Sequence, residues 1–530
     1  MTSDSISHLI AEKDREIAAL RAELVEVQSK FDYLMKKVFA PSSEKRPVPD
    51  TIGIQESIFG VPVQQEPAPP ETITIPSHDR TKKKGHGRTE VSPELPTREV
   101  IIEATPAEKV DHDGTPLTLM GYETSSKINV VPGIIEHVII KRERWGRADT
   151  HETIHTAAVP PCLIPKGKAT DSFLHEIIIN KFHLGLPLYR QLMDLNHRGA
   201  QLSTSFLGDC VSQAAERYRP IWEALRAQIF AHRVVNADET PIRQLIPKAE
   251  APSDQPERRV RTGYFWAWLA GGQCYLHYGT TRSQAEVREV LNIPDEGEWD
   301  PGGLIAYLVI DGYSGYNPAF AVHPDRPARI RRAACWAHVR RRFLQCADRG
   351  DTNASQLVAL ISELFRIDRA TRKENEKEDR TGQAAHAYRL TRRLRDSAPL
   401  VASIRTRIDQ LVPLYTASRD MAKHLAYTLN LWNALTVFLE DGEIPVDNNA
   451  AERALRSVVI GRKNWMFVGS EDAGQWAAIF FSLMESCRQL HIDPRKYLAY
   501  VTPRLLEASP PDPSSLTPAS LASTLATRNS

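Results

Sequence analysis

Asn448, Glu452 and Arg456 recur every fourth residue within IPVDNNAAERALRSVVIGRKNWMFVG, residues 444–469. A helix over this stretch carries an amide, a carboxylate and a guanidinium on one face. A carboxylate so placed can serve a metal ion. The plainer alternative is a solvated helix whose Glu452 and Arg456 pair across one turn. Asp447 is suited to start the helix, because its side-chain oxygen can accept from the free N–H groups of the first turn. Two further carboxylates decide between these readings, Asp238 in the run NADET and Asp311 in VIDGY.

The elements that must position these groups read as a mixed sheet. Val234-Val235 leads a strand into Ala237-Asp238-Glu239-Thr240, an aromatic run from Tyr264 to Leu269 follows, and after Gly271-Gly272 a third strand covers Tyr275 to Tyr278. Ser283 can cap a helix over Gln284 to Leu291. The fourth strand, Tyr307-Leu308-Val309-Ile310, is continuously apolar, as a strand buried on both faces requires, and it ends at Asp311-Gly312. Asp238 thus closes the first strand and Asp311 the fourth, while Glu239 points to the opposite face by alternation. In a ribonuclease-H-like fold the first and fourth strands are neighbours, and a later helix can bring Glu452 to the same rim. Three carboxylates together repel one another unless cations neutralise them. Mg²⁺ suits such oxygen ligands, and two ions about 3.5–4 Å apart promote in-line displacement at phosphorus. The chain shows no serine or cysteine triad pattern, no glycine-rich phosphate loop and no HExxH motif.

Composition narrows the setting. Lys and Arg number 67 against 66 Asp and Glu, a net charge of +1, so any nucleic-acid surface must come from local clusters. The six cysteines contain no CxxC pair, which suits free thiols in the cytoplasm. No apolar run approaches the ~20 residues that span a bilayer, and neither membrane insertion nor secretion is expected.

Along the chain, residues 1–40 carry a heptad pattern on Ile10, Ile17, Leu24, Phe31 and Val38, predicting a coiled coil and a homo-oligomer. Residues 41–96 read as a disordered, Pro-rich linker with a basic run from Lys82 to Arg88. A small β-rich module over 97–165 precedes a helical DNA-binding region over 166–231. The catalytic domain then occupies 232–343 and 444–505, split by an all-helical insertion over 344–443. A tail over 506–530, dominated by Ser, Pro, Thr and Ala, is expected to be disordered. Arg331, Arg332, Arg340, Arg341 and Arg342 form the densest basic cluster and are candidates for phosphate contacts, as are Arg453, Arg456, Arg462 and Lys463 beside the presumed metal site. Cys335 and His338 are too few for a zinc site, so they and Asp447 and Asn448 are read as structural neighbours of the site. Trp465 reads as core, with stacking on a displaced base as its alternative.

The blocks NADETPIRQL, VIDGYSGY, CWAHVRRRF and LWNALTVFLEDGEIPVDNNAAERALRSVVIGRKNWMFVGS, with the N-terminal FAPSSEKR and INKFHLGLPLYRQL, resemble the insertion sequence 66 family of bacterial transposases over most of residues 6–500. The resemblance implies a ribonuclease-H-like transposase with an Asp-Asp-Glu triad at Asp238, Asp311 and Glu452 and Mg²⁺ as the metal. It also implies cutting at the 3′ ends of the element, with terminal inverted repeats and target DNA as partners, beside small accessory proteins. The family's zinc-binding cysteine module has no counterpart here, because 97–150 contains no cysteine, and His112 and His151 do not complete a tetrahedral site; zinc is not expected. Two alternatives remain, a stand-alone nuclease on the same fold and a catalytically idle DNA-binding scaffold.

Overall fold

The computed structural model describes residues 97–131, 133–147, 154–246, 259–294, 305–320, 330–416 and 419–528. The coiled-coil pattern, the linker with its basic run, and His151 lie outside the described residues. The described secondary-structure elements fall within one of two units, which takes in 97–346 and 352–528, apart from Ala347 at the end of one helix.

Strands β1 (Thr97–Ile102), β2 (Thr118–Val131), β3 (Ile134–Gly146) and β4 (His155–Thr156) form a small sheet in the order β1-β3-β2, with β4 on the end of β3. Its apolar side buries Ile128, Ile135 and Val138. His112 is taken up by Asp111, Nδ1 to Oδ1 at 2.6 Å. Thr170 joins this module to the helices after it. Its N–H donates to Ile128 O at 2.8 Å and its hydroxyl accepts from Phe173 N, starting α1 (Asp171–Ile178). Helices α2 (Leu188–His197) and α3 (Thr204–Phe230) come next.

The second sheet holds β5 (Val234–Leu245), β6 (Val260–Ala270) and β7 (Gln273–Gly279), all antiparallel neighbours. Gly271 and Gly272 both take positive φ in the two-residue turn, which only glycine enters cheaply. Helix α4 (Gln284–Leu291), capped by Ser283, leads to β8 (Tyr307–Ile310) and β9 (Arg331–Ala334), both parallel to β5, giving the order β7-β6-β5-β8-β9.

The helical stretch comprises α5 (Trp336–Ala347), α6 (Thr352–Lys377), α7 (Gly382–Arg392), α8 (Ala398–Leu411), α9 (Asp420–Asn430) and α10 (Trp432–Thr436). It buries its own apolar stripe, including Leu357, Ile361, Ile404, Ile408 and Leu425. The chain returns through α11 (Asn449–Ala454), α12 (Arg456–Trp465), β10 (Phe467–Val468), α13 (Glu471–Gln489), α14 (Pro494–Leu505) and α15 (Pro518–Arg528).

An uncovered sheet edge leaves backbone groups without partners, and here helices cover it. The Ser482 and Ser486 hydroxyls of α13 accept from Leu276 N at 2.8 Å and Cys274 N at 2.9 Å of edge strand β7, and Trp222 of α3 donates to Leu276 O at 3.0 Å. Phe480 of α13 meets Phe182 and Tyr218 at ring separations of 5.2 and 5.8 Å. The helices over 171–230 therefore share one core with the sheet, where the sequence sets a separate region at 166–231. Amphipathic periodicity shows that a helix has a buried face and leaves open which layer buries it.

The tail differs from expectation as well. Residues 513–516 and α15 are helical, Leu516 and Leu521 are buried, Tyr497 OH donates to Leu516 O at 2.9 Å and Gln228 Nε2 to Ser514 O at 2.9 Å. Composition suggests disorder there, but two leucines at the right places suffice to dock it. Deleting the chain from Pro511 onward is expected to cost about 3–5 kcal/mol, the burial of two leucines, measured by urea unfolding. An unchanged midpoint would show that the tail does not pack.

Candidate active site

β5 does not end at Asp238 as the sequence reading has it; it continues to Leu245. What ends near Asp238 is the pairing with β8. The parallel register matches Val234, Val235 and Asn236 with Tyr307, Leu308 and Val309, and carried on by two residues it sets Asp238 beside Asp311 on adjacent strands. Further along the same edge β10 pairs with Arg243 and Gln244. Between them the β5 edge is met by helix side chains. Asn448 Nδ2 donates to Ala237 O at 2.7 Å, Asn236 Nδ2 donates to Asn448 Oδ1 at 2.9 Å, and Arg462 donates to Pro241 O at 2.5 Å and Thr240 Oγ1 at 2.8 Å.

Asn448 is thus a clamp, fully buried, and its backbone N–H also points to Cys335 Sγ at 3.1 Å. Helix α11 begins one residue later than a cap at Asp447 implies, with Asn448 at the N-cap position. Asp447 still serves the first turn, accepting from Asn449 N at 3.0 Å and Asn449 Nδ2 at 2.8 Å, and burial pushes its carboxyl upward. One turn beyond Asn448 stands Glu452. It does not pair with Arg456: Arg341 Nη2 reaches its Oε2 at 3.1 Å, His338 Nε2 lies 3.7 Å from its Oε1, and that Oε1 is buried with no hydrogen-bond partner.

Electrostatics ties the three acids together. Burial first, then the charges of Glu239 and Asp311 and more weakly Glu452, push the Asp238 carboxyl up from 3.8 to about 8. Asp311 accepts from Tyr313 N at 2.8 Å. His338 is held below its usual range by burial, against the pull of Glu452 and Asp311, and its Nδ1 has no partner. Burial also raises the Cys335 thiol to about 12, so it is inert sulfur in the clamp. Glu239 faces away from Asp238 into a pairing of its own, accepting from Arg282 Nε at 2.8 Å and Tyr316 OH at 2.7 Å.

A buried Glu452 oxygen without a donor, with Asp238 raised by the negative charge around it, fits an all-oxygen site for Mg²⁺. The three acids do not gather their oxygens within 4.8 Å of one another, as His277, Glu286 and Glu289 do among the described residues. Two ions about 3.5–4 Å apart, each about 2 Å from its oxygen ligands, are compatible with a wider spacing. The tighter group is a clasp between β7 and α4, in which Glu286 accepts from His277 Nε2 at 3.1 Å, Thr281 N at 3.2 Å and Thr281 Oγ1 at 2.9 Å.

The basic residues divide. Arg331 sits at the start of β9, level with Tyr307 and therefore at the opposite end of the strands from Asp311, and forks onto Glu440 at 2.5 and 3.0 Å. There it ties β9 to the helical stretch. Arg340 is tied to Ser362 at 2.8 Å and Arg462 to β5. Arg332 donates to Asn317 at 2.6 Å, and Arg342 lies 3.9 Å over the ring of Tyr427, which closes on Gly312 where a Cβ would come within 2.8 Å. Arg453, Arg456 and Lys463 are exposed and make no ion pair among the described residues.

A mixed α/β domain with this sheet order, an acidic rim and a helical stretch between its last strands fits a ribonuclease-H-like transposase domain. The chain belongs to the family described as "Transposase IS66 family", whose model matches residues 166–476. That span takes in α1–α3 together with the sheet, in keeping with their shared core. Among its relatives in Sinorhizobium fredii (strain NBRC 101917 / NGR234), the protein named "Uncharacterized protein y4jD" is 29% identical over 428 residues, 78% of each chain. "Uncharacterized protein y4hP" is 28% identical over 426 residues, 77% of this chain and 72% of that one. No helix among the described residues is long and apolar enough to cross a membrane.

Proposed function

We propose that this chain acts at the ends of an insertion sequence, binding the terminal inverted repeats, cleaving the 3′ ends and joining them to target DNA. Asp238, Asp311 and Glu452 form the acidic triad of its ribonuclease-H-like domain. The observation that carries this reading is the convergence at one strand edge. The β5–β8 register brings Asp311 to Asp238, and Asn448 pins the helix of Glu452 to the adjoining carbonyl. Mg²⁺ ions held by these carboxylates would supply activation of the attacking oxygen and stabilisation of the leaving one.

The chain's own groups do the rest. Asp238, whose carboxyl is pushed up to about 8 by burial and its acidic neighbours, would hold Mg²⁺ as the carboxylate, so metal and proton would compete for it. Arg341, Arg453, Arg456 and Lys463 present positive charge beside the triad and draw in the phosphodiester. The helical insertion braces the rim through Tyr427 against Gly312 and through Trp336, which donates to Leu435 O at 2.8 Å. The expected self-association through residues 1–40, contact with DNA by the linker and by 97–231, accessory proteins of the same element, and a cytoplasmic setting complete the proposal.

The test is a cleavage and joining assay on duplexes carrying the ends of the resident element, with Mg²⁺ present or chelated. Glu452→Gln is expected to lower both steps by about 10³-fold while leaving end binding unchanged. Joining of pre-cut ends separates a transposase from a nuclease that only cuts. Normal cleavage by Glu452→Gln would sink the triad assignment.

A further inference from the structure

Helix α12 ends in Trp465, whose ring folds back over Gly461; a Cβ there would lie 2.2 Å from the ring carbons. Met466 follows with φ +66°, a left-handed turn that costs a non-glycine residue energy and swings the chain into β10. Trp465 lines a cavity of about 370 Å³ together with Phe182, Ile242, Phe265 and Trp476. Lys181 also lines it, half-buried, its ammonium 4.6 Å from the Trp465 ring centre and 5.5 Å from that of Phe182. No carboxylate pairs with it among the described residues. Burial alone holds its pKa down to about 8.

A tryptophan serving only as core filling explains neither the space beside its ring nor a half-buried cation held over it with no ion-pair partner among the described residues. Flat aromatic walls suit a planar ring, and an unpaired ammonium suits an anion joined to it. Asp209 and Ser212, which also line the cavity, offer hydrogen-bonding atoms to the edge of such a ring. A nucleobase on its phosphodiester combines the two chemistries.

The position agrees. Asp238, Thr240 and Ile242 alternate onto one face of β5, and Arg462 of α12 is fastened to Thr240 between the other two. Four residues of strand separate Asp238 from Ile242, about 13 Å at ~3.3 Å each. DNA advances ~3.4 Å per nucleotide along one strand, so a strand held at the carboxylates reaches the cavity within about four steps. We propose that the cavity takes one unstacked base of that DNA strand, its ring on Trp465 and its phosphate on Lys181. For the course of the strand, this rests on the transposase reading of the acidic site.

The test uses the full-length protein with metal chelated, so that only binding is read. A short duplex is compared blunt and with a single-stranded tail on either strand, each tail carrying 2-aminopurine at one position in turn. The tailed duplex is expected to bind about tenfold more tightly, the worth of one base stacked on an aromatic ring, with 2-aminopurine emission quenched at one tail position. Trp465→Ala should remove the preference and the quenching while leaving blunt-duplex affinity unchanged, and Trp465→Phe should retain most of both. Lys181→Met, which keeps the aromatic wall, should cut the preference severalfold, so the test stands even if Trp465→Ala fails to fold. Equal binding of blunt and tailed DNA by the unaltered protein overturns the proposal, as does a preference that survives Trp465→Ala or Lys181→Met. Failure of the triad reading appears differently, as absent Mg²⁺-dependent cleavage with the tail preference intact.

Discussion

Asp238→Asn is expected to abolish Mg²⁺-dependent strand cleavage, by about 10³-fold or more, and at the same time to make the metal-free protein more stable at alkaline pH. Both effects come from one carboxyl. Its pKa is raised from 3.8 to about 8, chiefly by burial and by Glu239 and Asp311. The folded chain therefore holds a proton that the unfolded chain has released across that window. Stability from this group is fully present below about pH 4 and is lost as pH rises through about 8. Asparagine has nearly the same shape and no charge to bury, so it spares the cost at pH 8 and changes little at pH 4. Thermal midpoints of the metal-free protein and its variant at the two pH values measure this directly. Mg²⁺ should raise the midpoint of the unaltered protein and act far less on Asp238→Asn, since a ligand of the folded state stabilises by its own affinity. Equal midpoints at both pH values would show that Asp238 is not destabilised by its setting, and persistent cleavage would remove it from the triad.

Asn448→Leu should cost about 2–4 kcal/mol of stability and lower cleavage by about 10²-fold per folded molecule. The side chain is wholly buried, donates to Ala237 O at 2.7 Å and accepts from Asn236 Nδ2 at 2.9 Å. Leucine has about the same size but leaves both partners unsatisfied in a dry place, and each such loss costs about 1–3 kcal/mol. It also frees the start of α11, one turn before Glu452. The hydrogen bonds of the Asn448 side chain go to β5 and not to the Asp311 or Glu452 carboxylates, so its influence on the reaction runs through position. Denaturant unfolding and single-turnover cleavage separate the two effects. Lost stability with undiminished cleavage by the folded fraction would mean that the clamp holds the fold and not the carboxylate.

Local signals were legible in the chain wherever local physics decides the outcome. Ser283 caps Gln284–Leu291, Gly271 and Gly272 turn β6 into β7, and the unbroken apolar run Tyr307–Ile310 is a strand buried on its last three residues. Asn448 drew notice by its spacing from Glu452, yet the surface helix face that spacing suggests is absent, because the amide turns inward to a strand edge more than 200 residues earlier, at Asn236. Arg331 and Arg341 belong to the same basic run and look alike in sequence, yet one forks onto Glu440 and the other reaches Glu452. Strand direction separates them, and charge density carries no direction.

The amino-acid sequence by itself determined the periods, the turns and caps such as Ser283, because these depend on neighbours within a few residues. Tertiary structure alone decided that β5 runs on past Asp238, that its edge is shared by β8, Asn448, Arg462 and β10, that the tail docks, and that Trp465 stands beside open space. Those outcomes rest on register and packing between distant segments, where a shift of one residue turns a side chain to the other face of a strand, and no local pattern records which shift is taken.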